Sequence, residues 1–269
     1  MNIESGRRNC RKWSNDRCGK AVRRPYGRAF LSTICENVYM PQYDHGYTFD
    51  FSMDDRPMEP VRRIRPNTGC ITGKRPSVKT NTIHAFESSL ERDFLMLLEF
   101  NEEVVKYAVQ PLTIEVEGNT KRKKYTPDVA VYFCHSLHKV PWLCEIKYRQ
   151  ELLSHPAHYA ALFAIARRYA VLNGFNFQVF TEIEIRTHFL ANLKFLSRYR
   201  HGPVNQQYYA IIQQLFEDQD CWFARDLVKV VGPQQNDGLL YTLWQLVASN
   251  VVQCDLQLPL TMTSPLRLH

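Results

Sequence analysis

A chain of 269 residues with 45% hydrophobic and 12% aromatic content has the composition of a globular protein with room for two domains, which excludes a disordered chain. No apolar run approaches the ~20 residues needed to cross a bilayer. The N-terminus MNIESGRRNCRKW carries charge without the apolar segment of a secretory signal, so a cytoplasmic protein is expected.

The eight cysteines form no CxxC pair, and Cys134, His138 and Cys144 lack a zinc-finger spacing; they read as reduced thiols. Residues 1–30 hold nine Lys and Arg, namely Arg7, Arg8, Arg11, Lys12, Arg17, Lys20, Arg23, Arg24 and Arg28, against Glu4 and Asp16. That excess of +7 equals the formal net charge of the whole chain. With Trp13 and Tyr26 among the charges, the stretch suits a phosphate backbone, whose neutralisation releases counterions. Arg7, Arg8, Arg11, Lys12, Arg23 and Arg24 are therefore DNA-binding candidates; a solvated tail is the bland alternative. Residues 1–80 are rich in Arg, Pro, Gly, Asn and aromatics without sustained periodicity, and read as an arm of loops and short extended pieces.

From residue 81 the pattern becomes regular. FESSLERDFLMLLEF (86–100) predicts a helix, and VQPLTIEV (109–116) and YTPDVAVYF (125–133) predict strands. The basic turn GNTKRKK joins the two strands, and Lys121, Arg122 and Lys123 in it are further phosphate-contact candidates. PWLCEIKY (141–148) predicts a third strand, followed by a helix through HPAHYAALFAIARRYAVLNG with Gly174 as its stop. FNFQVF (175–180) predicts a fourth strand and TEIEIRTHFLANLKFLSRYR (181–200) another helix. This order predicts an α/β domain over 81–200, with a mixed sheet flanked by helices. HGPV (201–204) reads as a linker. Beyond it YYAIIQQLFED, FARDLVKVVG and NDGLLYTLWQLVASN predict three helices, with a hairpin from VVQCD and LPLTM. Residues 201–269 therefore read as a winged-helix-like domain for DNA or partner binding, and small helical docking modules share that pattern.

Several charges sit where apolar residues are expected. At about 100° per residue, Glu87 and Glu91 fall within the arc of Leu90, Phe94, Leu95, Leu97 and Leu98, while Ser89, Arg92, Met96 and Glu99 fall outside it. A buried carboxylate must be paired, protonated or bound to metal. In the third strand Glu145 and Lys147 share one face, opposite Cys144, Ile146 and Tyr148. Asp128 follows Pro127 early in the second strand and comes beside Glu145 if the register cooperates. Carboxylates converging with a lysine suit a Mg²⁺-dependent phosphodiester hydrolase, because hard oxygen ligands hold the ion and the ammonium stabilises transition-state charge. YTPD…CEIK is the PD-(D/E)xK pattern. A surface salt bridge plus a turn aspartate is the plain alternative. His84, His155 and His158 read as surface or DNA-contacting, and Arg167 and Arg168 as a solvated helix face.

ESSLERDFLMLLEFNEEVVKYAVQP, RKKYTPDVAVYF, WLCEIKY and NGFNFQVFTEIEIRTHFLANLKFLSRYR resemble the TnsA family, the restriction-endonuclease-like subunits of heteromeric transposases. The resemblance implies catalytic roles for Glu91, Asp128 and Lys147, and a position that takes Glu or Gln at Glu145. It implies Glu91, Asp128 and Glu145 as metal ligands, with Gln110 near the site; Glu87 either pairs with a basic residue inside the fold or lies at the edge of the metal site. It also implies a bacterial protein that cleaves the 5′ strands at transposon ends with Mg²⁺ or Mn²⁺. The implied partners are double-stranded DNA, a TnsB-like DDE transposase and a TnsC-like AAA+ regulator. A restriction or junction-resolving nuclease on the same fold, or a non-catalytic DNA-binding assembly subunit, are the other readings.

Overall fold

A computed structural model describes residues 71–116, 123–232 and 236–269, together with Pro60. The arm candidates Arg7, Arg8, Arg11, Lys12, Arg23 and Arg24, and Lys121 and Arg122 in the basic turn, lie outside the described residues; the Lys123 side chain does too. The described residues fall into two compact units, and the chain passes from one to the other between Ile185 and Arg186.

The first unit opens with an antiparallel hairpin, β1 (Gly73–Ser77) and β2 (Thr82–Phe86). Strand β1 lies within the stretch 1–80 that the sequence reads as loops and short extended pieces. Its sequence GKRPS lacks apolar alternation, and its last residue, Ser77, donates through Oγ to Glu99 Oε2 at 2.8 Å. Helix α1 (Ser89–Phe100) follows, with Ser88 as its cap. Strands β3 (Val104–Val109), β4 (Ile114–Val116), β5 (Lys123–Tyr125), β6 (Val129–Phe133) and β7 (Trp142–Ile146) come next. Helices α2 (Arg149–Ser154) and α3 (Pro156–Leu172), strand β8 (Asn176–Phe180) and the short helix α4 (Glu182–Ile185) complete the unit.

Four strands pair in the order β3-β6-β7-β8, with the first two pairings antiparallel and β7–β8 parallel. The result is a mixed sheet with flanking helices, consistent with a restriction-endonuclease-like fold. Ala130 and Leu143 pack with Phe163, Ala166 and Ala170 of α3 and with Phe177, Ile114 and Tyr125. From α1, Phe94 stacks on Phe180 at 4.8 Å between ring centroids.

Two predicted strands break at their prolines. The segment 109–116 divides between the end of β3 and the small β4–β5 hairpin, and 125–133 divides between β5 and β6. Pro111 and Pro127 have no N–H to donate, so neither can continue a ladder.

The second unit contains α5 (His188–Leu196), α6 (Gln206–Asp218), β9 (Trp222–Phe223), α7 (Ala224–Val231), α8 (Asn236–Ala248), β10 (Val252–Gln253) and β11 (Pro265–Leu268). The predicted single helix over 181–200 is therefore two, α4 and α5, interrupted at Arg186–Thr187. Helix α5 packs in this second unit, with Phe195 edge-on to Trp244 at 5.5 Å. The three helices expected beyond residue 205 are present, but LPLTM is not a strand; the returning strand is β11, which bridges β10 and β9. Asn192 on α5 holds the intervening loop, its amide donating to the Leu256 and Leu258 carbonyls at 2.8 Å each and its oxygen accepting from the Leu260 N–H at 3.0 Å.

Candidate active site

The sheet register assembles the site. Val129 pairs with Cys144, and the ladder continues one step through the Asp128 N–H, which donates to the Cys144 carbonyl at 3.0 Å. Asp128 therefore stands opposite Glu145. On its other side the Gln110 N–H donates to the Asp128 carbonyl at 2.8 Å, extending the Val109–Val129 pairing. Gln110, Asp128 and Glu145 thus form one row across three strands, at the ends of β3 and β7 and the start of β6.

The Lys147 ammonium lies 3.0 Å from Glu145 Oε1 and 3.4 Å from Asp128 Oδ2, and donates to the Ile146 carbonyl at 3.4 Å. Asp128 Oδ2 also accepts the Ile146 N–H at 2.7 Å. Glu145 is 3% exposed, and its Oε2 accepts the Tyr125 hydroxyl at 2.7 Å. Sequence reasoning missed Tyr125, which the β4–β5 hairpin folds back over the sheet.

Glu91 is 9% exposed on the first turn of α1, as its place in the apolar arc predicts. Its Oε2 accepts the Glu87 N–H at 2.8 Å, while its own N–H donates to Ser88 Oγ at 3.0 Å. This is close to a capping box, and the SSLE spacing is the signal for it. Glu91 thus orders the helix terminus as well as contributing charge to the site. Tyr148 Oη and Ser89 Oγ, 3.0 Å apart, tie that terminus to the end of β7. Glu87 precedes the helix and is half-buried; its charge helps push Asp128 up. Gln110 is 4% exposed, holds φ at 49°, and leaves its buried Oε1 without a hydrogen-bond partner.

The electrostatics follow from too many carboxylates in one buried place. Burial, then the Asp128 charge, pushes Glu145 up to about 7, with Lys147 and Tyr125 opposing. Glu91 is likewise pushed up to about 7, by burial and then by Asp128. Asp128 is raised by burial against the opposing charge of Lys147. Burial would lower the Lys147 pKa, but Asp128 and Glu145 outweigh it and hold the ammonium charged. One cation thus serves three acids, a donor set of hard oxygens that suits an added divalent ion. Among the described residues, however, no three His, Cys, Asp or Glu side chains are gathered closely enough to form a metal cage by themselves. A Mg²⁺ site made of one or two carboxylates, waters and substrate phosphate needs no such cage.

The other candidates lie elsewhere. His84 is buried, not on the surface as expected; its Nε2 meets Thr80 Oγ1 at 2.7 Å and its ring stacks on Tyr107 at 4.7 Å. His155, His158, Arg167 and Arg168 are exposed on α2–α3.

No helix among the described residues is long and apolar enough to cross a membrane. No curated protein matches the chain. Residues 101–182 match the family model described as TnsA-like endonuclease N terminal, a span that includes Asp128, Glu145 and Lys147. With those residues drawn together at the strand ends, the match supports a TnsA-like nuclease domain within the chain.

Proposed function

We propose that the protein is a Mg²⁺-dependent endodeoxyribonuclease that cuts the 5′ strands at transposon ends, acting with a TnsB-like DDE transposase and a TnsC-like AAA+ regulator; Mn²⁺ substitutes for Mg²⁺. The observation that carries this reading is Asp128 standing opposite Glu145 with the Lys147 ammonium between them, inside the matched segment. Asp128 and Glu145 would hold the ion, with Glu91 at its margin. When bound, the ion supplies an activated water and neutralises charge on the leaving oxygen. Lys147, kept protonated by its two carboxylates, offers a fixed positive charge to the phosphoryl oxygens as negative charge builds on them. The buried row Gln110–Asp128–Glu145 keeps these groups on rigid strand ends. Beyond α5, the order α6, α7, α8 with the three-stranded sheet of the second unit supports a winged-helix reading there.

One observation favours a second reading, a non-catalytic assembly subunit: Lys147 already bridges both carboxylates as an ion-pair network. Strand-specific cleavage of labelled transposon-end DNA with the transposase partner separates the two. Asp128→Ala and Lys147→Ala are each expected to lower 5′-strand cleavage on the order of 100-fold or more. Cleavage equal to wild type in both variants would overturn the nuclease mechanism.

A further inference from the structure

We propose that Tyr125 is a positioning residue that fixes the rotamer of Glu145 and so sets the divalent-ion affinity of the site. The inference rests on the metal-dependent reading above. Tyr125 ends β5, where Ile114 of β4 pairs with it, and it is buried in the core cluster that also holds Ala130, Leu143 and Phe163. With the ring held by packing, the hydroxyl has one place to go, and it donates to Glu145 Oε2 at 2.7 Å. Lys147 meets the other oxygen, Oε1, at 3.0 Å. The two oxygens of Glu145 are thus differentiated. One is tied to a neutral donor on a packed ring, and the other faces an ammonium on a flexible stem that is partly exposed. Oε1, facing the movable ammonium rather than the packed phenol, would be the Glu145 oxygen free to hold a divalent ion. Tyr125 touches neither substrate nor ion in this arrangement; it acts through Glu145.

The test is titration of the full-length protein with Mn²⁺, followed by calorimetry and by the Mn²⁺ electron-spin signal, in wild type, Asp128→Ala, Tyr125→Phe and Tyr107→Phe. Phe keeps the ring that fills the core, so thermal melting confirms that Tyr125→Phe is folded. Tyr107→Phe removes a comparable buried hydroxyl, which donates to Glu99 Oε2 at 2.9 Å in the same unit, and it controls for general loosening. Tyr125→Phe is expected to weaken Mn²⁺ binding about tenfold, and Tyr107→Phe to leave it within about twofold. Wild-type affinity in Tyr125→Phe, or equal losses in both tyrosine variants, would overturn the positioning role while the metal site stands. No Mn²⁺ binding by wild type would remove the metal-dependent reading, and the proposal with it.

Discussion

Glu91 and Glu145 are both pushed up to about 7, burial being the larger cause and the Asp128 charge the second. Because each folded value lies above the ordinary carboxylate value of 4.5, their contribution to stability is complete below that value and is lost as pH rises through about 7. In metal-free buffer the melting temperature should therefore fall between pH 4.5 and about pH 7, and Glu145→Gln should flatten part of that fall. A melting temperature that stays level in wild type would mean the carboxylates are not crowded as described. The same oxygens are the ones a cation would take, and protons compete for them. Mn²⁺ affinity should accordingly rise with pH across about 7, and an affinity independent of pH would exclude these carboxylates as ligands. Glu145→Gln should also cost less cleavage than Glu145→Ala. A glutamine oxygen can still meet Lys147, and the Tyr125 hydroxyl can turn from donor to acceptor toward the amide.

Among the elements, the β1–β2 hairpin shows most clearly how a polar group can hold structure. Glu99 Oε2 accepts from Ser77 Oγ at 2.8 Å and from the Tyr107 hydroxyl at 2.9 Å, and Oε1 accepts the Val78 N–H at 2.9 Å and the Lys79 N–H at 3.4 Å. Burial alone would push the carboxyl up, but these hydrogen bonds outweigh it and hold the pKa below its usual value. Glu99→Ala removes the acceptor for all four donors and should destabilise the protein by about 3 kcal/mol, read as a shift in the urea midpoint with cleavage chemistry untouched once folded. A shift no larger than that of an exposed substitution would show that the hairpin is not anchored there. Helical periodicity places Glu99 outside the buried arc because it counts only the helix's own apolar face. The hairpin that covers the other side comes from a segment with no apolar alternation to announce it. The pairing of Asp128 with Glu145 is legible in the sequence, since both adjoin strong strand patterns and a one-step register joins them. Strand β3 is not, because the apolar run across Pro111 competes with VVKYAV for the strand reading. Tyr125 is hidden for a related reason: its contact spans a hairpin whose strands are only three residues each. Gln110 is visible as a residue type, but its left-handed backbone and unpartnered Oε1 are consequences of β3 stopping beside Asp128.

For the whole molecule, the distribution of charge separates two ways of holding DNA. In the winged-helix arrangement the third helix enters the major groove and the loop between the last strands reaches the neighbouring backbone. Here α8 carries no Lys or Arg, and Thr242 through Val247 are all buried. From 206 to 266 the bases are Arg225 and Lys229, against Glu217, Asp218, Asp220, Asp226, Asp237 and Asp255. Both bases already face Asp226 Oδ1, at 3.6 Å and 3.3 Å. Such a surface has little to offer phosphates, whereas residues 1–30 hold nine bases and two acids. Deleting residues 1–30 should therefore weaken binding to end-containing and unrelated duplexes alike. It should also flatten the dependence of log affinity on log salt by about 0.9 for each phosphate that is no longer neutralised. The double variant Arg225→Ala, Lys229→Ala should leave that slope within about 0.9 of wild type, the equivalent of a single phosphate. A slope unchanged by the deletion but reduced by the double variant would assign phosphate binding to Arg225 and Lys229 instead of residues 1–30.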